Sequence, residues 1–258
     1  MTTRIYSVPP DQHFSTSEGR QYNAAAAPDM MMKAALWYAA NGIPVFPVHT
    51  LRGSGCSCGD VGCKHAAKHP NTPHGFKDAT TDPAQIQAWW TAMPDANIGI
   101  PTGALTRLLG IDFDPRNGAP TDRAGMIEVL GPLPSTAEVL TGGDGRHFFY
   151  SYPGGPIKPT LATGVDAKGD GGYVLAPPSL HRSGKRYQWD CEGGAEAILN
   201  PAPAPMWLLS MAVKPKALAN GPATSIESAP GSAGKIGEGQ RHKRLVRMAG
   251  VMQHRAMS

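Results

Sequence analysis

Leu108-Leu109-Gly110-Ile111-Asp112-Phe113-Asp114 is the stretch from which the rest of this sequence is best read. An apolar run that ends in two acids one residue apart reads as a buried strand whose last side chains leave the core. Successive side chains of a strand point to opposite faces. Asp112 and Asp114 therefore share one face, while Phe113 turns into the interior. Two carboxylates on one rigid face can hold a pair of divalent cations, which in phosphoryl transfer stabilise the attacking and leaving oxygens together. The plainer alternative is a strand running into a polar turn at Pro115-Arg116-Asn117-Gly118, so the acid pair needs partners elsewhere.

Two downstream segments offer them. Thr141-Gly142-Gly143-Asp144-Gly145-Arg146-His147 reads as the turn of a hairpin joining strands at 137–141 and 146–152. Its glycines let the backbone come close to a ligand, and Arg146 and His147 carry donors suited to phosphate oxygens. A lone histidine at a strand start is more often structural. The second segment runs from Gly164 to His181. Val165-Asp166-Ala167-Lys168 is an acid-bearing strand, and Tyr173–Ala176 leads into a rigid Pro177-Pro178 turn that carries Ser179 and His181. Asp170, set among glycines, competes with Asp166 for the place of a third acid, although Asp170-Gly171 also fits an ordinary hairpin turn.

Upstream, Asp29 is a plausible N-cap for a helix that stops at Asn41-Gly42, and Ile43–Val48 reads as an edge strand because of its prolines. Asp82-Pro83 opens a second helix through Trp90; residues 98–100 form a short strand and 121–130 a helix. Strands at 164–168, 173–176 and 186–189 complete an α+β domain spanning residues 29–213. Residues 1–28 read as a flexible leader. Residues 214–234 form an Ala/Pro/Gly/Ser-rich linker, and 235–258 a basic helical stub whose apolar stripe, Leu245, Met248 and Met252, is too small to fold alone.

Between the first strand and the second helix lies a loop, at about 53–70, containing Cys56, Cys58, Cys63, His65 and His69. Three thiols and two imidazoles in so short a stretch offer five ligands to a metal that takes four, and that chemistry suits a closed, structural zinc site. Cys191 stands apart and reads as an ordinary thiol.

The bulk composition sets limits. The chain has 258 residues, 41% of them hydrophobic and 17% charged, with 31 glycines and 25 prolines, which favours turns and short strands over a helical bundle. No apolar run is long enough for a membrane span, and the N-terminus lacks a charged region followed by an apolar one, so a cytoplasmic location is expected. The net charge of +4 belongs to the tail. There Lys235, Arg241, Lys243, Arg244, Arg247 and Arg255 face Glu238 alone, and the middle of the chain is formally neutral. Charge by itself therefore makes no case for a nucleic-acid groove in the core.

Taken in order, Ile111-Asp112-Phe113-Asp114, Gly145-Arg146-His147 and Val165-Asp166 resemble the three motifs of the archaeo-eukaryotic primase superfamily. The run from Gly171 to His181 is similar to that of its bifunctional primase-polymerase branch, encoded by plasmids, phages and prophages. Lys77–Asp82 and Trp89 are also family-like, and the resemblance covers residues 30–212. It implies an RNA-recognition-motif-like catalytic sheet beside a small N-terminal α/β unit. It implies Asp112, Asp114 and Asp166 as ligands of two Mg²⁺ or Mn²⁺ ions, with Asp166 preferred over Asp170, and His147 on the phosphates of an incoming nucleotide. Arg146, Lys168, Ser179 and His181 would make further contacts to triphosphate or template. The Lys68-His69-Pro70 ending of the cysteine loop resembles the family's own insertion, which favours His69 over His65 as fourth zinc ligand. The implied partners are single-stranded DNA template and primer, NTPs or dNTPs, and a helicase, fused or separate. Two other readings are a non-catalytic, zinc-containing replication initiator that binds DNA, and a DxD glycosyltransferase. The second leaves the Gly-Arg-His and Pro-Pro-Ser-x-His segments unexplained.

Overall fold

The computed structural model describes residues 29–213. The leader, linker and basic stub expected at 1–28, 214–234 and 235–258 lie outside the described residues. In chain order the elements are α1 (Met30–Ala40), β1 (Phe46–Val48), β2 (Leu51–Arg52), β3 (Gly55–Cys56), α2 (Pro83–Ala92), β4 (Asn97–Pro101) and β5 (Leu108–Phe113). There follow α3 (Arg123–Leu130), β6 (Ala137–Leu140), β7 (Arg146–Ser151), β8 (Thr160–Ala162), β9 (Val165–Lys168), β10 (Tyr173–Ala176), β11 (Gln188–Trp189) and α4 (Met206–Ala212). The domain is α+β, as expected.

Local chemistry accounts for the helix starts. The Asp82 carboxylate accepts from the Ala84 N–H at 3.0 Å with Pro83 at the first helical position, and Asp122 accepts from the Gly125 N–H at 2.9 Å. Both satisfy donors that a helix N-terminus leaves open. Asp29 departs from the expectation. It occupies the cap position of α1, but its carboxylate pairs with Lys33 one turn on, at 2.6 Å, and caps nothing.

Two antiparallel sheets carry the fold. The larger has six strands in the order β11-β6-β7-β5-β9-β8. Its four central strands, taken as first (β5), second (β6), third (β7) and fourth (β9), lie in the order second-third-first-fourth, the arrangement of an RNA-recognition-motif-like sheet. The first crossover of that βαββαβ pattern is α3. In place of a second crossover helix between β7 and β9 there is β8, and α4, arriving from beyond β11, covers that end of the sheet. One face buries Leu109, Ile111, Phe113, Phe148, Tyr150, Val165 and Ala167 against Met126 and Leu130 of α3 and Leu208 of α4.

The smaller sheet, β1-β4-β10, supports α1 and α2 through Tyr38, Ile86 and Trp90 packed on Phe46, Ile98 and Ile100. β1 lies at its edge with Pro47 opposite Ile98, where a missing N–H is tolerated. The α/β unit is not built from the N-terminal segment alone, because β10 enters it from beyond the larger sheet. Leu108, Ala137, Val139 and Phe149, on the second face of the larger sheet, join the same core. The even-numbered residues of β5 therefore look toward the smaller unit.

Candidate functional site

Register brings the acids and the histidine together. On the central strand β5, Asp112 pairs with His147 of β7 on one side and Asp166 of β9 on the other. Residues directly opposite across antiparallel strands share a face and lie close together, so His147, Asp112 and Asp166 form one row on the face toward the smaller unit. Nε2 of His147 lies 3.4 Å from Oδ1 of Asp112. Nδ1 of His147 is buried and finds no hydrogen-bond partner among the described residues. Such a group is rare in a folded interior.

Asp114 sits one step past the end of β5. It opens a tight turn at 115–117, and its carboxylate accepts from the Arg116 backbone N–H, from Nε and Nη2 of Arg116 at 2.9 and 2.6 Å, and from Asn117. Asp166 accepts from Thr160 Oγ1 at 3.0 Å and pairs with Lys168 Nζ at 2.9 Å. Two of the three acids are thus held by basic side chains. Burial works against the charge on Asp112, yet His147, Lys168 and Lys68 outweigh it and hold the carboxyl below its usual range. The Arg116 guanidinium does the same for Asp114.

Asp112, Asp114, Arg116 and His147 line an open, polar cleft together with Lys68, Thr141, Gly143, His181 and Tyr187, and Asp166 lies beside Asp112 on the neighbouring strand β9. The glycine turn forms one rim and has no room for larger residues. A Cβ on Gly142 would overlap the His181 side chain, and one on Gly145 would overlap the Phe113 carbonyl. Nδ1 of His181 accepts from the Ser183 N–H at 3.2 Å, which leaves its proton on Nε2, beside Gly143. Burial, with the charges of Lys68, Arg116 and Arg182, pushes the His181 imidazole down to about 4, so it is neutral at neutral pH.

Some expected site residues are not brought here. Arg146 pairs with Phe113, not with Asp112, and so points to the opposite face from His147. There it bonds Glu138 and Asp190, the latter at 2.5 Å, and Glu138 also holds Arg123 at 3.0 Å. The Ser179 hydroxyl is fully buried and accepts from the Ile98 N–H at 2.9 Å, fastening the Pro-Pro turn to β4. Asp170 lies in the β9–β10 loop, where it accepts from Tyr152 Oη at 2.6 Å and from the Ala104 N–H at 2.7 Å. Lys168 stays with the row, through Asp166.

Two features go beyond what the sequence shows. Arg116 reads from sequence only as part of a turn, although a cation two residues beyond an acid is itself a signal. Asn97 has no such signal. Its buried amide donates to the carbonyls of His49, Ala67 and Leu180 and accepts from the Leu180 N–H at 2.7 Å, joining the cysteine loop to the His181 turn.

In the cysteine loop the ligand atoms of Cys56, Cys58, Cys63 and His69 all lie within 4.8 Å of one another, a Cys₃His group that could hold a metal ion. His65 is not part of it. Among the described residues no other cluster meets that closeness, Asp112, Asp114 and Asp166 included.

An α+β domain with an RNA-recognition-motif-like sheet and an acid–histidine row across its central strands has the framework of a nucleotidyltransferase of the primase/polymerase type. Comparison with protein families agrees. The profile described as Bifunctional DNA primase/polymerase, N-terminal (Prim-Pol) matches residues 35–207, and the chain belongs to that family. Its role is that of a DNA primase/polymerase domain, with DNA and nucleotides as substrates. No curated protein matches the chain.

Proposed function

We propose that this chain performs template-directed nucleotidyl transfer with two divalent metal ions, priming DNA synthesis, extending primers, or both. The observation that carries this reading is the cross-strand row His147–Asp112–Asp166, with Asp114 in the cleft that Asp112 and His147 line. Carboxylate oxygens are hard donors suited to Mg²⁺ or Mn²⁺, and Asp112, Asp114 and Asp166 would hold them. When bound, such ions polarise phosphoryl oxygens and stabilise the charge that develops during in-line displacement. The side chains around them position the substrate. The 3′-hydroxyl oxygen of the primer attacks the α-phosphorus of the incoming nucleotide, the bond to the β-phosphate oxygen breaks, and pyrophosphate leaves. His147 orients the triphosphate, and neutral His181, as a donor through Nε2, contacts phosphate without attracting an acid. Lys168 steadies Asp166.

The Cys₃His group is proposed to hold zinc. Thiolates and an imidazole make a closed, soft donor set with no open position for substrate, which supports a structural role. The likeness of residues 171–181 to plasmid- and phage-type domains supports a place in replicating a mobile element, with a helicase, fused or separate, as partner.

The test is synthesis by the purified chain on a single-stranded template with Mg²⁺ or Mn²⁺ and NTPs or dNTPs. Product is expected from the native protein and none from Asp112→Ala. Site-specific DNA binding unaffected by Asp112→Ala, with no synthesis by either protein, would favour the initiator reading.

A further inference from the structure

Lys68 stands out among the cations that reach the cleft. It lies in the cysteine loop, next to His69 of the Cys₃His group, and still lines the cleft with Asp112, Asp114, Arg116, His147 and His181. Its backbone is held from several directions. The Lys68 N–H donates to the His65 carbonyl at 2.9 Å, and its own carbonyl accepts from Tyr173 Oη at 2.7 Å. The carbonyl of the preceding residue, Ala67, accepts from Asn97 at 3.1 Å. Ala67 is fully buried and has a left-handed φ of 61°, a conformation that costs a non-glycine residue energy and so must be enforced by its surroundings. The stem of Lys68 therefore leaves from a fixed point.

The other cations close to the acids are occupied. Arg116 is paired with Asp114, and Lys168 with Asp166, while Arg182, whose charge is felt at Lys68 and His181, does not line the cleft. Lys68 forms no ion pair among the described residues. A cation half withdrawn from water and without a direct partner is satisfied by an anion that enters the cleft. Divalent ions held by Asp112 and Asp114 would offset the carboxylates beside it and leave the ammonium without a neighbouring negative charge of its own. A nucleoside triphosphate brings that charge.

We propose that Lys68 is a triphosphate-binding residue, presented to the nucleotide by the cysteine loop. This rests on the nucleotidyltransferase reading above. The loop then has a second role beyond holding its metal, because it fixes one phosphate-binding charge over a sheet it does not belong to.

The experiment is dGTP binding by the full 258-residue chain with Mg²⁺ and no template, measured calorimetrically at several NaCl concentrations. Native protein is compared with Lys68→Ala and Lys68→Arg. A charge-assisted contact is worth enough that Lys68→Ala should weaken binding about tenfold or more at low salt, or roughly 1.4 kcal/mol. The salt dependence should flatten, while Lys68→Arg stays within about threefold of native. Melting temperature and bound metal should be unchanged, which separates a phosphate contact from a structural one. If Lys68→Ala lowers the melting temperature, Lys68→Gln, which keeps most of the stem, carries the comparison. Native binding with a variant equally tight and equally salt-sensitive overturns the role of Lys68 and leaves the enzymatic reading standing. Absence of binding by the native chain sinks both.

Discussion

Replacing Asn97 with alanine should loosen the domain where the cysteine loop, β4 and the His181 turn meet. The Asn97 side chain is fully buried. Its two amide hydrogens are shared among the carbonyls of Leu180, Ala67 and His49 at 2.8, 3.1 and 3.3 Å, and its oxygen accepts from Leu180 N–H. Alanine removes about three hydrogen bonds' worth of pairing and leaves the half-buried Leu180 N–H without its acceptor. At roughly 1 kcal/mol per bond, with a further penalty for the unpaired donor, the loss is about 3–4 kcal/mol. For a domain of this size that lowers the melting temperature by about 6–16 °C. Total stabilities of about 5–15 kcal/mol leave the variant folded at 20 °C. Chemical denaturation followed by circular dichroism measures the loss, and Asn97→Asp, which keeps the acceptor but not the donors, should also destabilise. A change below about 0.5 kcal/mol in Asn97→Ala would mean that the loop and turn are held by something other than this amide.

Other consequences can be measured separately. Elemental analysis should find one zinc per chain; Cys58→Ser and His69→Ala should lose it, whereas His65→Ala should keep it. The folded His181 imidazole titrates near 4, below the ordinary 6.5, so between those values the unfolded chain binds more protons. Stability from this group is complete above about pH 6.5 and lost as pH falls toward 4, and His181→Gln should flatten denaturation midpoints across that window. Arg146→Met should leave the nucleotide KM within about twofold of native. It strips a partner from buried Glu138, and the cost in unfolding free energy should be about 1–3 kcal/mol; a tenfold rise in KM would return Arg146 to the nucleotide site.

Much of this layout can be read from the chain because it depends on local alternation. The strand that runs into Asp112-Phe113-Asp114, the hairpin around residues 142–145 and the helix start at Asp82 are where the sequence put them, while the helix expected from residue 121 begins at Arg123, behind the Asp122 cap. The same alternation also separates Arg146 from His147, since neighbours on a strand face opposite ways; assigning both to phosphate sets aside the strand's own period. Other features depend on contacts between distant segments. The β2–β3 hairpin and β8 have two and three residues per strand, too few to show a pattern. α4 follows Pro205 and is seven residues long, and its apolar residues find their partner only once β8 and β9 are in place. The Ser179 hydroxyl looks available beside a rigid turn, but β4 binds it through the Ile98 N–H. Lys68 is visible in the cysteine loop, but its reach into the acid cleft follows from how that loop folds back over β5.

If one cross-strand row holds the metal ions for synthesis, single-turnover incorporation on a primed template should distinguish its acids from Asp170 in the β9–β10 loop. Asp112→Asn, Asp166→Asn and Asp170→Asn would be compared at equal folded concentration with saturating Mn²⁺ and dNTP. Asp112→Asn and Asp166→Asn should each lower the rate at least about a thousandfold, because a neutral amide can neither balance nor hold a divalent ion. Asp170→Asn, whose carboxylate bonds Tyr152 and Ala104 in a different loop, should incorporate within about threefold of native. Native-like rates from Asp166→Asn, with synthesis abolished in Asp170→Asn, would remove Asp166 from the site and put Asp170 in its place.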